Sequence, residues 1–292
     1  MDKIKTSDYR VDNMIHLKDL PTLNMLNTTE KKLKKRLRDT RDKLSKLQDV
    51  FYAHNKYSVL VCFQGMDTAG KDSLIREVFQ DFNSRGVVVH SFKTPTFKEK
   101  QHDYLWRHYR ALPDRGKFGV FNRTHYENVL VTRVHPEYIL GENIPGINSV
   151  DDIDENFWEA RFEQINNFEK HLVANGTIIF KFFLHISKEE QKNRLLRRLI
   201  RVDKNWKFSP GDLEERELWD QYQDCYEKAI NNTSTKVAPW YIIPSDKKKA
   251  ARTIVADILY DELKVIEEVR YPTLDPNIKS QIEHYKQLLN ES

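Results

Sequence analysis

The sequence predicts an α/β fold, a mostly parallel central sheet with helices on both faces. Three observations carry the prediction. Short apolar runs recur along the chain, segments long enough for a helix separate them, and the first run leads directly into a glycine-bounded loop and a helical pattern.

The first run, residues 57–64 (YSVLVCFQ), is almost unbroken in its apolarity and rich in β-branched and aromatic residues, as expected of a strand buried on both faces. Similar runs follow at 87–92, 118–121, 177–184 and 240–243. Ahead of them, Asn27 and Glu30 stand at the spacing of a capping pair, and Leu33, Leu37, Leu44, Leu47 and Phe51 fall roughly on one face of the helix this pair would open. The outer face of that helix is basic: residues 31–46 hold nine Lys/Arg against two Asp, which suits either a solvated face or an anion-binding or interface role. Residues 247–268 read as a C-terminal helix, and the tail from residue 275 as a further helix docked loosely. No repeat or Gly/Ser linker divides the chain. Residues 1–292 therefore read as a single domain, with a helical extension over 1–54, a core over 55–265 carrying a helical lid at about 187–215, and a tail over 266–292.

Composition narrows the function classes. The chain is 39% hydrophobic and 32% charged with a net charge of +4, which disfavours a uniformly basic nucleic-acid binder and leaves enough apolar residues for several buried elements. Cys62 and Cys225 are too few for a disulfide scaffold and lack zinc-site spacing. The N-terminus lacks the apolar core of a signal peptide, and no run approaches the ~20 apolar residues that cross a bilayer. These features lead us to expect a cytoplasmic protein without membrane or nucleic-acid partners.

The chemistry is announced by Gly65-Met66-Asp67-Thr68-Ala69-Gly70-Lys71-Asp72-Ser73, placed after a strand and before a helix. Gly-x4-Gly-Lys in that context is a phosphate-binding loop. Its glycines let successive N–H groups turn towards phosphate oxygens, the helix start adds the positive end of a dipole, and Lys71 supplies a point charge for the transferred phosphoryl group. Gly65, Thr68, Ala69, Gly70, Lys71, Asp72 and Ser73 are the expected phosphate-binding positions. Asp72 stands where Ser or Thr commonly meets magnesium, and Asp67 is a second unusual carboxylate. Of the two, Asp67 is the better candidate for metal or proton handling.

At the end of the third strand, Asn122 occupies the place of a Walker B aspartate. Arg123 beside it offers bidentate contact to phosphate, or an ordinary surface ion pair. His125 reads as ordering its loop, since no second ligand sits at metal spacing. In residues 186–207, Arg194, Arg197, Arg198 and Arg201 recur at i, i+3, i+4 and i+7, with Leu195, Leu196, Leu199 and Ile200 on the opposing side. Such a guanidinium ladder beside a phosphate loop suits a lid over a long polyanion better than over one nucleotide.

GMDTAGKD, SFKTPT, HDYLWRHYRALP, FNRTHYENVLVTRVHPEY and the lid string ending KNWKFSPGDLEER resemble, in order and spacing, the family-2 polyphosphate kinases over about residues 50–265. The wording is similar to the class that accepts nucleoside mono- and diphosphates. The resemblance implies a thymidylate-kinase-like P-loop NTPase fold, a three-layer α/β/α sandwich with a helical lid. It also implies reversible transfer of the terminal phosphate of inorganic polyphosphate to AMP and ADP, giving ADP and ATP, with Mg2+ (Mn2+ as an alternative) and with guanine nucleotides as further acceptors. It leans towards a homo-oligomer.

Carried over by motif, Asp67, Lys71 and Arg123 are catalytic, and Asp67 is the metal-associated carboxylate with Glu127 as a substitute. Lys93, Arg107, Asn122, Arg123, Glu127, Arg133, Arg194, Arg198, Lys204 and Lys207 are implied to bind polyphosphate or nucleotide. Asn122 stands where other classes have Asp, and losing that charge is expected to ease the approach of acceptors with different numbers of phosphates. The competing reading is an ATP-dependent nucleotide kinase. A nucleic-acid binder would interleave aromatics with its charges for base stacking, and in the lid only Trp206 precedes Phe208.

Overall fold

The computed structural model describes residues 4–24 and 26–291. Five parallel strands form its sheet: β1 (Ser58–Gln64), β2 (Val87–Ser91), β3 (Phe118–Asn122), β4 (Thr177–His185) and β5 (Trp240–Pro244), in the order β2-β3-β1-β4-β5. Central position explains composition. Every residue of β1 is buried, whereas β2 lies at an edge with Val88 and Val89 exposed. The apolar run over 87–92 is thus not matched by burial on both faces, because one side of an edge strand has no neighbour. The other edge is covered: residues 9–11 add an antiparallel bridge and backbone hydrogen bonds to β5.

The helices that position the site are α1 (Glu30–His54), α2 (Lys71–Val78), α3 (Glu155–Ala174), α4 (Lys188–Ile200), α5 (Gly211–Glu217), α6 (Trp219–Thr233) and α7 (Lys248–Leu263), with α8 (Pro276–Ser280) and α9 (Ile282–Glu291) in the tail. Leu33, Leu37, Leu44 and Phe51 of α1 are buried, and Phe51 meets Phe118 of β3 edge-on at 5.8 Å. On the opposite face, Leu60, Cys62, Phe121 and Ile179 cluster with Leu172 of α3.

Several local expectations shift. Thr29, not Asn27, caps α1 by accepting from the Lys32 N–H, while Asn27 adopts φ 39° in the turn before it. Helix in the extension is confined to α1 and two short 3₁₀ turns, because residues 4–24 bond to β5 and α6 instead of to themselves. The helix expected over 247–268 closes at Leu263. The tail forms two helices without buried residues. Residues 1–3 of the extension and Ser292 of the tail lie outside the described residues.

Candidate active site

β1 ends at Gln64, and the chain must then turn sharply to start α2. Gly65 makes this possible at φ 150°, where a Cβ would sit 2.9 Å from the Leu184 carbonyl oxygen; Gly70, at φ 111°, caps α2. Lys71 folds back across the loop and donates from Nζ to the Gly65 carbonyl at 2.5 Å. Desolvation and the nearby Arg123 lower its pKa, against the opposing pull of Asp67, Glu127 and Asp72.

The end of β3 faces this loop. Asn122 Nδ2 donates to Asp72 Oδ1 at 2.7 Å, and Arg123 lies 3.2 Å from Asp67 and 3.7 Å from Glu127. Burial alone would raise the Asp72 pKa, but the Asn122 hydrogen bond and the charges of Lys207 and Lys71 outweigh it and hold the carboxyl below its ordinary range. Arg123 itself has φ 58°, a left-handed conformation that a side chain adopts at a cost.

Two cavities meet here. The larger, about 540 Å³, is walled by ten Lys/Arg and three Asp, with no aromatic or large apolar side chain. The smaller, about 210 Å³, carries Glu127, Glu215, Tyr222 and Tyr226 with Met66 and Val131. Asp67, Lys71, Arg123 and Asp212 line both.

Among the residues expected from sequence, the loop positions Thr68, Gly70, Lys71, Asp72 and Ser73 line the larger cavity together with Asn122, Arg198, Lys204 and Lys207. Gly65 and Glu127 face the smaller one. Ala69 is buried behind the loop. Asn122 lines the larger cavity alone, so its missing charge bears on that side and not on the smaller cavity.

Three expected contacts lie elsewhere. Arg133 is bonded to Glu155 at 2.6 Å and stacks over Trp158, Arg107 stacks over Phe92 beside Glu99, and Lys93 is exposed in the segment after β2.

The lid departs most from its expected form. Arg194 is 4% exposed, and its guanidinium donates to the carbonyls of Thr68, Ala69, Ser245 and Asp246 at 2.5–3.2 Å while Nε holds Glu190 at 2.8 Å. It braces the loop from behind and is not a free rung. The ladder ends at α4, since Arg201 has extended backbone at the C-cap and Lys204 and Lys207 follow on a 3₁₀ turn. Of the apolar side, only Leu195 is buried; Leu196, Leu199 and Ile200 are exposed. Arg198 pairs with Asp212 at 3.0 Å.

Sequence reasoning missed Asp212, Tyr226 and Lys248, which reach the cavities from α5, α6 and the start of α7. Burial and the Asp67 charge raise the Asp212 pKa. Burial and the cations around it, Arg194 first, push Lys248 down to about 8. His125 is fully buried against Glu169 at 3.2 Å.

Among the described residues no three His, Cys, Asp or Glu gather as a metal-binding group, and no helix is long and apolar enough to cross a membrane.

The sequence pattern of "Polyphosphate kinase 2 (PPK2)" matches residues 27–270. The chain belongs to the polyphosphate kinase 2 family. It is therefore a phosphotransferase. Among its relatives, this kinase is 43% identical to the ADP-polyphosphate phosphotransferase of Rhodopseudomonas palustris over 98% of its own length and 99% of the relative's. It is 45% identical to the AMP/ADP-polyphosphate phosphotransferase of Meiothermus ruber over 79% and 80% of the two chains. The crystal structure of polyphosphate kinase 2 from Arthrobacter aurescens superimposes with a TM-score of 0.89 at 34% identity, covering 100% of this kinase and 99% of that chain.

Proposed function

We propose that this kinase transfers the terminal phosphate of inorganic polyphosphate reversibly to AMP and to ADP, with Mg2+ and with guanine nucleotides as further acceptors. The observation that carries the reading is the larger cavity. Ten cations converge on the phosphate loop there, more than the phosphates of a single nucleotide would need, and no apolar surface is available to grip a donor's adenine. That absence counts against an ATP-dependent nucleotide kinase. The smaller cavity, with two tyrosines and a carboxylate rim, receives the acceptor.

In this reading Arg198, Lys204 and Lys207 hold the polyphosphate chain while Lys71 and Arg123 neutralise charge on the group in flight. Asp67 lies where the two cavities meet. Mg2+ fits the chemistry of the donors, which are oxygen-only: Asp67 with Glu127 nearby, and Asn122 Oδ1, which is buried without a hydrogen-bond partner in this structure. Mg2+ typically takes one or two carboxylates and completes its shell with water and substrate phosphates. When bound, it supplies charge neutralisation between donor and acceptor phosphates.

Self-association belongs to the same reading, supported by exposed Val88 and Val89 on the sheet edge and by Leu288 and Leu289 on α9. So does a reducing, cytoplasmic setting, supported by two buried free thiols. Incubation with AMP or ADP, Mg2+ and long-chain polyphosphate, without ATP, should yield ADP and ATP. Phosphorylation of AMP by ATP alone, with polyphosphate inert, would return the competing kinase.

A further inference from the structure

Behind the loop that carries Arg123 and Glu127 lies a set of buried polar side chains that phosphoryl transfer does not itself require. Residues 123–127 alternate in role. Arg123 and Glu127 face the cavities, while Thr124, His125 and Tyr126 between them are each 0% exposed. Thr124 is held by Gln64, the last residue of β1, whose Nε2 lies 3.1 Å from its hydroxyl. Tyr126 donates to Glu169 of α3 at 2.7 Å, and His125 sits 3.2 Å from the same carboxylate. Lys181, in the middle of β4 and fully buried, completes the set. Its ammonium donates to Glu169 at 2.6 Å, to the Tyr126 hydroxyl at 2.9 Å and to the Thr233 carbonyl at 2.7 Å.

A lysine and a glutamate in the centre of a sheet domain are costly to bury, and a well-packed apolar pair of similar volume commonly stabilises a fold as well or better. Their value must then lie in what they hold. What they hold is the segment directly after Arg123, whose backbone at φ 58° needs its surroundings to keep it there. The anchors come from three separate elements, α3, β4 and the end of α6, so the loop is fixed against the rigid core and not against the mobile lid side of the site.

We infer that Glu169, Lys181 and Tyr126 are positioning residues for phosphoryl transfer: they hold the Arg123 guanidinium at the junction of the two cavities without touching substrate. The inference rests on the proposed role of Arg123. Small displacements of such a group are expensive to catalysis, since a shift of about 1 Å by a distant change can cost ~100-fold in rate.

The test uses Tyr126→Phe, which removes the hydroxyl and keeps the ring, and the double variant Glu169→Gln with Lys181→Met, which keeps the interior uncharged overall. Each is measured for thermal unfolding and for kcat and KM with ADP and polyphosphate, alone and in an Arg123→Ala background. We expect both to unfold cooperatively and to lose ~10–100-fold in kcat with little change in either KM. In the Arg123→Ala background neither should lower kcat further, because the group they position is gone. Folded variants with kcat within about twofold of the parent would overturn the inference, leaving the network as core alone. So would losses that multiply undiminished with that of Arg123→Ala. Arg123→Ala at the parent's kcat would instead overturn the assignment of Arg123, and the inference with it. Variants that fail to fold are replaced by Tyr126→Phe with Gln64 retained or by Glu169→Gln alone, judged by the same coupling.

Discussion

Asn122 donates to the Asp72 carboxylate at 2.7 Å, tying the end of β3 to the first turn of α2. This bond decides what Asn122→Asp does. Two carboxylates would then face each other, and like charges at that distance cannot both ionise without cost. We expect Asn122→Asp to lose activity most at alkaline pH and to recover as falling pH lets the pair share a proton. A kcat/KM profile from pH 5 to 9, with the parent as reference, checks this; a constant ratio across the range would remove the bond from the account.

Lys71→Ala should abolish most transfer while leaving the fold intact. Its ammonium rests on loop carbonyls and supports no core packing. Losing a charge that acts on the transition state costs ~2.7–4 kcal/mol, a factor of ~100–1,000 in kcat. Circular dichroism with steady-state rates makes the comparison, and a folded variant above about a tenth of the parent rate would remove Lys71 from the chemistry.

Arg194 and Arg198, four residues apart on α4, should fail in different ways. Arg194→Ala strips donors from four carbonyls and leaves Glu190 with one fewer partner. Each buried acceptor left unsatisfied costs ~1–3 kcal/mol, so this variant should lower Tm by several degrees. Arg198→Ala should leave Tm nearly unchanged and raise the KM for long polyphosphate, with a smaller effect on short chains. Because exposed contacts are screened within ~10 Å at 0.1 M salt, the parent's affinity should weaken as salt rises. Tm and chain-length-resolved KM separate the two roles.

These differences show what the sequence could reveal. The phosphate loop, the strands and the catalytic Asp67, Lys71 and Arg123 were legible because each depends on residues adjacent in the chain. The periodicity of α4 placed its arginines on one side but could not say whether that side would meet solvent or the back of the loop, so Arg194 read as a free cation. Asp212, Tyr226 and Lys248 carry no motif. They join the site only because α5, α6 and α7 converge on the carboxyl edge of the sheet, a property of topology and not of spacing.

Lys248 supplies the pH dependence on the donor side. With its pKa down to about 8, it is mostly charged at neutral pH and turns neutral as pH rises above that value. Polyphosphate favours the charged form, so binding near pH 8 should take up protons, and affinity should fall as pH rises through 8. Lys248→Met should weaken binding at pH 7 and flatten this fall. Polyphosphate titrations at pH 6.5 to 9.5 read both, and an unchanged slope in the variant would place the titration elsewhere.

The last prediction is that one site phosphorylates both AMP and ADP, so that AMP and polyphosphate give ADP first and ATP later. The donor side is set by the larger cavity and is indifferent to the acceptor. On the acceptor side, Arg123 and Lys71 lie where a terminal phosphate must arrive, while Glu127, Glu215 and the two tyrosines line the rest of the smaller cavity. An acceptor with one phosphate or two can present its outer phosphate to the same two cations if its remainder slides along a wall without a third fixed cation, and no Lys or Arg besides these lines that cavity. Asn122 faces only the other side, so Asn122→Asp should slow both acceptors in similar proportion and leave their ratio nearly unchanged. Time courses of AMP, ADP and ATP with polyphosphate as sole donor, run for the parent and for this variant, check both parts. AMP left inert while ADP reacts would defeat the shared site; a selective loss of AMP in Asn122→Asp would move acceptor choice to the charge beside Asp72.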